Sequence, residues 1–173
     1  MKIISSENLY DGYFSLTKYE LTDGTGIVFD REVFNHPEGV CAVVYDTIKQ
    51  KYLFVEQYRV GAKITTIELV AGSIDKNESP QETIVREIEE ELGYLVDKIK
   101  IITEFYASPG SNTEKVYLYY AEVSERIHEG GGVDNENIKV IEVETISKDG
   151  QIIIDDEIIK LIDAKTIIGC CLI

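Results

Sequence analysis

Residues 39–45, Gly39-Val40-Cys41-Ala42-Val43-Val44-Tyr45, run apolar without a break. A strand with one wet face alternates apolar and polar side chains, so a run of this kind predicts a strand buried on both faces. The polar stretch from Asp46 to Lys51 reads as a turn into Tyr52-Leu53-Phe54-Val55, giving a hairpin. Further strands are predicted at Thr66 to Val70, Ile99 to Tyr106, Val116 to Val123 and Ile138 to Glu144. Ahead of the apolar run, Leu16 to Leu21 and Ile27 to Phe34 flank an Asp23-Gly24 turn and predict an antiparallel appendage over residues 1–38, leaving 39–173 as the main domain.

One helix has both ends written into it. Ser79 is placed to N-cap, Pro80 suits the first helical position, Glu82 completes an S-x-x-E capping box, and Gly93 is the stop, so the helix is predicted over Pro80 to Leu92. The segment from Asp155 to Ile173 is expected to be helical in part, and Gly130-Gly131-Gly132 to form a flexible loop.

With 173 residues, 44% of them hydrophobic, the chain can fill the core of one ordinary domain plus a small appendage. It holds 32 acidic and 17 basic residues, a formal charge of -15, which argues against a nucleic-acid partner because such a surface repels phosphate backbones. No apolar run reaches the roughly 20 residues of a membrane span, and Met1-Lys2-Ile3-Ile4 leads into polar Ser5-Ser6-Glu7, so a soluble cytoplasmic protein is expected. Cys170-Cys171-Leu172-Ile173 superficially fits a prenylation signal but lacks upstream basic residues and a typical last residue. A reduced, buried helix end is expected there, as is a buried Cys41.

The run Glu87-Ile88-Glu89-Glu90-Glu91 is the part of the helix that needs explanation. At 100° per residue, Glu87, Glu90 and Glu91 crowd one sector, which borders the stripe of Ile84, Val85, Ile88 and Leu92. Like charges at i,i+4 repel, no lysine is interleaved, and a cation is therefore expected among them. Hard oxygen ligands suit Mg²⁺ or Mn²⁺, and such a metal invites a phosphorylated substrate. Gly72, before the helix, allows close backbone approach, and Arg86 can reach Glu82 or Glu90, or fold back to Glu78.

Gly72, Glu78, Arg86-Glu87-Ile88, Glu90-Glu91 and Gly93 stand in the spacing G-x5-E-x7-R-E-U-x-E-E-x-G-U, and the segment from Gly72 to Tyr94 resembles the Nudix box. Tyr94 stands where an aliphatic residue is usual. The resemblance implies an α/β fold, an α/β/α sandwich with a mixed central sheet and here an N-terminal antiparallel appendage. It implies a hydrolase of nucleoside diphosphates linked to another moiety. In the family the box glutamates hold metal, which here means Glu87 and Glu91, with Glu90 a further candidate and the Ala71 carbonyl completing a site. Arg86 is then structural, paired with Glu78.

Gln57-Tyr58-Arg59-Val60, Glu68-Leu69-Val70-Ala71-Gly72 and Ser108-Pro109-Gly110 resemble the nucleoside-diphosphate-sugar pyrophosphatases. Residues Gly130 to Glu136 and Asp163-Ala164-Lys165-Thr166 look closest to the GDP-mannose group of that branch, with the ADP-ribose enzymes second. On this resemblance Glu136 rides a glycine-hinged loop as metal ligand or general base, alongside Glu90 and Glu91 as catalytic carboxylates. Tyr13, Arg31, Glu32, Arg59, Ser73, Glu114 and Lys165 match positions that touch the nucleotide sugar. The group is homodimeric, with amino-terminal strands reaching across, so Arg31 would serve the partner's site. Glu56 departs from the arginine frequent in the group, and four extra residues separate Glu136 from Lys165. The alternative of another class is a non-catalytic Nudix sensor of nucleotide sugars, and a further alternative is an enzyme of triphosphates, caps or CoA. Sensors tend to lose box glutamates, whereas all three remain here. His36 and His128 read as surface residues, Tyr117, Tyr119 and Tyr120 as strand packing, and Glu68 as either an outer ligand or an exposed strand residue.

Overall fold

The computed structural model describes residues 1–133 and 137–173, which fall into two compact units. The smaller comprises residues 1–38 with 105–116, and the larger 39–104 with 117–173.

In the smaller unit β1 (Lys2–Asp11), β2 (Ser15–Thr22) and β3 (Val28–Asn35) form an antiparallel sheet in the order β1-β2-β3. The turn before β3 is made by Asp23, whose carboxylate accepts the Thr25 N–H at 2.7 Å, with Gly24 and Gly26 at positive φ. β1 carries no apolar periodicity and every residue in it is exposed, so nothing in its sequence marked it as a strand. Residues 111–113 close the unit against β3: Phe34 N–H donates to the Ser111 carbonyl at 2.8 Å and Thr113 N–H to the Phe34 carbonyl at 3.1 Å.

The larger unit is built on β4 (Gly39–Asp46), the predicted two-faced strand, which is buried along nearly its whole length. A mixed seven-stranded sheet surrounds it, in the order β10 (Lys139–Val143), β5 (Lys51–Arg59), β4, β9 (Lys115–Arg126), β8 (Tyr94–Tyr106). β6 (Ile64–Glu68) extends the sheet from β5 and β7 (Val70–Ser73) from β4. The segment predicted as one strand, Thr66 to Val70, thus pivots at Leu69 and passes from one neighbour to the other. The Thr47 N–H donates to the Val123 carbonyl, so the carboxyl ends of β4 and β9 lie side by side, as in a parallel pair.

Each face of the sheet has a helix. Val40, Ala42 and Val44 join Ile84, Ile88 and Leu92 of the box segment in one core. On the opposite face α2 (Ala164–Cys171) comes down on Val43, Leu69 and Leu118 through Gly169. A Cβ at Gly169 would lie 2.6 Å from Leu69 Cδ1 and 3.1 Å from Val43 Cγ2. The glycine that weakens the helical signal in the sequence is therefore what lets the helix reach the sheet. This is the α/β/α sandwich, with layers set by the unalternating run of β4.

The tail from Asp155 is helical in part, as the sequence predicts, and a short strand precedes that helix. β11 (Thr145–Ile146), β12 (Ile152–Ile154) and β13 (Glu157–Ile159) make a small antiparallel sheet. Asp155 and Asp156 both adopt positive φ in the β12–β13 turn, the two-residue hairpin geometry that Asp tolerates. Cys41 and Cys170 are buried, and burial pushes the Cys170 thiol up to about 12, whereas Cys171 at the helix end is exposed. No helix among the described residues is long and apolar enough to cross a membrane.

Replacing Gly169 with valine inserts methyl groups where backbone meets sheet. The substitution is expected to lower the unfolding free energy by about 1–3 kcal/mol, read as a lower urea midpoint. An unchanged midpoint would show that α2 does not pack through this glycine.

Candidate active site

The box helix begins as the sequence predicts and ends differently. Ser79 caps α1 (Pro80–Glu87): its hydroxyl accepts the Glu82 N–H, and the Glu82 carboxylate accepts the Ser79 N–H at 2.8 Å. From Ile88 to Leu92 the backbone widens into a π-helical turn rather than continuing as α-helix, and Gly93 stops it at φ 78°. Such single turns occur mostly as local widenings at functional sites. Glu90 and Glu91 lie on this turn, with Glu87 at its start.

Packing gives the three carboxylates different surroundings. Glu91 is buried at 3% exposure, Glu87 and Glu90 are half-buried, and Glu89 is exposed. The acidic sector therefore does border the apolar stripe. Gly72, at the end of β7, faces Glu87 so closely that a Cβ there would overlap the carboxylate. The preceding residue, Ala71, pairs in register with Cys41 of β4.

The cation that the sequence demands is in part the chain's own Arg86. Its Nη1 donates to Glu87 Oε1 at 3.0 Å and to Glu90 Oε2 at 2.9 Å, and its Nε and Nη2 donate to Glu78 at 3.2 Å. Thr83 Oγ1 adds a bond to Glu78 at 3.0 Å. The hydrogen bonds from Arg86 and Thr83 hold the Glu78 carboxyl below its ordinary pKa. Hydrogen bonding to Glu78, against the cost of burial and with the charges of Glu87 and Glu90, holds the Arg86 guanidinium above its own. Glu78 thus fixes the loop before the helix to its second turn.

Arg86 also sets the resting arrangement of the carboxylates. Among the described residues no three His, Cys, Asp or Glu side chains form a ready metal cage. Glu87 and Glu90 are instead drawn to the guanidinium. Charge and space nevertheless fit a divalent cation. Glu87, Glu90 and Glu91 bring three hard anionic donors against one positive charge that Glu78 shares, and Gly72 keeps the approach to Glu87 clear of side chain. Glu87, Glu90, Glu91 and the Ala71 carbonyl are the groups that could hold such an ion. Glu136 lies outside the described residues.

A second group of charges lies on a cleft of about 300 Å³ lined by Arg59, Thr66, Glu68, Asp163 and Lys165, among others. Arg59 forks onto Glu68, Nε to Oε1 at 2.8 Å and Nη2 to Oε2 at 2.6 Å, and Thr66 Oγ1 also donates to that carboxylate. Glu68 is 2% exposed, so of the two readings open to it the exposed strand residue is excluded. Asp163 caps α2, accepting the Thr166 N–H at 2.9 Å and pairing with Lys165 Nζ at 3.1 Å. Thr166 in turn accepts the Leu69 N–H at 2.9 Å, which ties the start of α2 to the β6–β7 pivot and brings Lys165 to the cleft of Arg59. The charges of Asp163 and Glu91 add to the Glu68 bond in raising the Arg59 pKa, so Arg59 lies within the field of the box glutamate. Of these partners, the sequence left Glu68 open as an outer ligand and did not single out Asp163 as a site residue. For Asp163 the D-x-x-T spacing before a helical run was a usable capping signal.

Ser73 ends β7 opposite Gly39. The other expected substrate residues lie in the smaller unit. Tyr13 is 90% exposed and edge-on to Phe14, and Arg31 stands over the Phe29 ring. Glu32 opposes Lys18, and Glu114 approaches His36 Nδ1 at 3.9 Å. Glu56, the departure from the group, forms a cross-strand ion pair with Lys139. Tyr94 has a polar use for its departure: it is buried, and its hydroxyl donates at 2.9 Å to the buried Asp46, which also accepts the Ile48 and Lys49 N–H groups of the β4–β5 turn. His128 accepts the Gly130 N–H at 3.0 Å, a structural role on an exposed loop.

A profile of the NUDIX domain matches residues 35–162. The chain is 36% identical over 155 residues to the GDP-mannose pyrophosphatase of Enterobacter sp. (strain 638), covering 83% of this chain and 81% of that protein. It is also 36% identical over 153 residues to the GDP-mannose pyrophosphatase of Escherichia coli (strain K12), covering 82% and 80%. A crystal structure of an ADP compounds hydrolase shares the fold, with a TM-score of 0.71 at 20% identity over 82% of this chain and 76% of that one. The box helix, its buried glutamate and these likenesses together place the chain in the Nudix hydrolase family.

Asp163 links the cleft to pH. Burial alone would raise its carboxyl pKa, but Lys165 and the bonds from Thr166 outweigh that and lower it. A depressed folded pKa contributes stability that is present above the unfolded value of about 3.9 and is lost as pH falls through the folded one. The thermal midpoint of the wild type is expected to fall between about pH 5 and pH 3, with a shallower fall in Asp163→Asn. Parallel curves for the two proteins would remove this linkage.

Proposed function

We propose that the chain hydrolyses the diphosphate bond of a nucleotide sugar with Mg²⁺, Mn²⁺ being a substitute, to give a nucleoside monophosphate and a sugar phosphate. GDP-mannose is the favoured substrate, with ADP-ribose second. The observation that carries this reading is the cleft in which Arg59 and Lys165 stand together, with Arg59 in the field of buried Glu91. Two cations on one cleft suit the oxygens of a diphosphate, and the hard carboxylates of the box suit the divalent ion that accompanies it.

The chemistry balances with water alone. The water oxygen bonds to one phosphorus, the bridging P–O bond breaks, and the bridging oxygen leaves on the other phosphate, with the water's protons passing to a base and the products. Bound divalent metal would neutralise phosphate oxygens and lower the pKa of the attacking water. Glu87, Glu90, Glu91 and the Ala71 carbonyl would hold it, and Arg86 would release Glu87 and Glu90 while keeping Glu78. Arg59 and Lys165 would bind diphosphate oxygens. Arg59 is already oriented by Glu68, and Asp163 keeps Lys165 charged, since its pKa stays raised despite burial.

Glu136 would serve as the base or a further metal ligand. Tyr13, Arg31, Glu32, Ser73 and Glu114 would contact the nucleotide and sugar, with Arg31 serving the partner's site in a homodimer. The exposed β1 edge, with Ile3, Ile4 and Leu9 in the open, supports an intersubunit role for the appendage over residues 1–38. A small diphosphate that arrives with its divalent ion is the kind of anion a chain of charge -15 can accept.

Purified protein with Mg²⁺ and a panel of GDP-mannose, ADP-ribose, UDP-glucose and a nucleoside triphosphate tests the reading by product analysis. GDP-mannose is expected to give GMP and mannose 1-phosphate, and Glu91→Gln to lower kcat by about 100-fold or more. A panel with no turnover would favour the sensor reading, and a Glu91→Gln enzyme at near wild-type rate would sink the metal assignment.

A further inference from the structure

The triglycine segment, expected as a flexible loop, is pinned to the box helix. Gly131 N–H donates to the Glu91 carbonyl at 2.8 Å and Gly132 N–H to the Glu90 carbonyl at 3.1 Å. These are two of the last carbonyls of the box helix, which have no intrahelical donors and need partners from outside it. On the same path Ile127 N–H donates to the Gly93 carbonyl at 2.8 Å, and Arg126 donates to the carbonyls of His128 and Glu129 at 3.1 Å and 2.6 Å.

The contact depends on glycine from both sides. Gly130, Gly131 and Gly132 all have positive φ, 71°, 109° and 79°, a sequence of conformations that L side chains resist. A Cβ on Gly130 would overlap the Glu91 carbonyl, and a Cβ on Gly93 would overlap the His128 carbonyl. The box glycine Gly93 and Gly130 therefore interlock backbone to backbone, with no room for a methyl group on either. The turn they clasp is the π-helical one, a geometry that persists only when its surroundings hold it.

We propose that Gly130–Gly132 is a positioning strap that fixes the π turn and so sets the affinity of Glu90 and Glu91 for a divalent cation. The inference rests on the metal-site reading above. Carboxylate direction follows from backbone direction, and the bonds from Gly131 and Gly132 fall on the carbonyls of these two glutamates. Loosening the strap lets the turn relax toward α-helix and swings both side chains. Coupling is reciprocal, so metal held by the carboxylates tightens the strap.

Mn²⁺ binding followed by electron paramagnetic resonance tests this without turnover. Gly130→Ala is expected to weaken Mn²⁺ binding by about tenfold or more, with activity recovering at high Mn²⁺. Gly24→Ala, at φ 89° with open space around it in the smaller unit, bears similar backbone strain and should bind as wild type. Should Gly130→Ala not fold, Gly131→Ala meets only the Ile138 carbonyl at 3.6 Å and takes its place. In the wild-type protein, amide exchange at Gly131 and Gly132 is expected to slow when Mn²⁺ is added. A folded strap variant with wild-type Mn²⁺ affinity, or exchange indifferent to Mn²⁺, overturns the proposal alone. Wild-type protein that binds no Mn²⁺ removes the metal-site reading and the strap with it.

Discussion

Arg86 hydrogen-bonds three carboxylates at once, and the arrangement of the box follows from that meeting. The guanidinium ties Glu78 of the loop to Glu87 and Glu90 of the helix. A planar fork of donors can do this where a lysine could not. Without it, negative side chains at i,i+3 and i,i+4 would repel along a helix whose inner face is already committed to the core. With it, the loop from Gly72 is held against α1, and Gly72 can lie against Glu87. The same bonds draw Glu87 and Glu90 to the guanidinium, so among the described residues the carboxylates do not stand as a finished metal cage.

The parts of the fold that were legible in the sequence are those decided within a few residues. The capping box, the Gly93 stop, the Asp23-Gly24 turn and the two-faced β4 all rest on local backbone chemistry or on a single stretch of pattern. The π turn was not legible, because the bonds that hold it come from Gly131 and Gly132, some forty residues downstream. β1 was missed because an exposed strand need not alternate. The helical part of the tail was legible as α2, but β13 was missed because apolar spacing at residues 157–159 does not reveal two aspartates in left-handed conformation just before them.

The site divides in the same way. Glu87, Glu90 and Glu91 could be found from spacing, since helix geometry brings them to one sector, and Arg86 and Glu78 from the box pattern around them. Glu68 and Asp163 could not be ranked, because what makes them informative is burial and pairing across distant segments: Glu68 with Arg59, and Asp163 with Lys165. Tyr94 shows the same limit. As a departure from an aliphatic position it looked neutral, but its hydroxyl reaches Asp46 across the sheet. The acidity also gains a place, since part of the -15 is concentrated at a helix end that a divalent ion would neutralise.

The central claim is that this carboxylate cluster directs water to phosphorus. Hydrolysis of GDP-mannose in ¹⁸O-labelled water, with products separated and weighed by mass spectrometry, tests it most directly. One ¹⁸O is expected in a phosphate group of GMP or of the sugar phosphate, and none in free sugar. Label in free mannose, with unlabelled GDP as the other product, would contradict it by placing the attack at the sugar carbon.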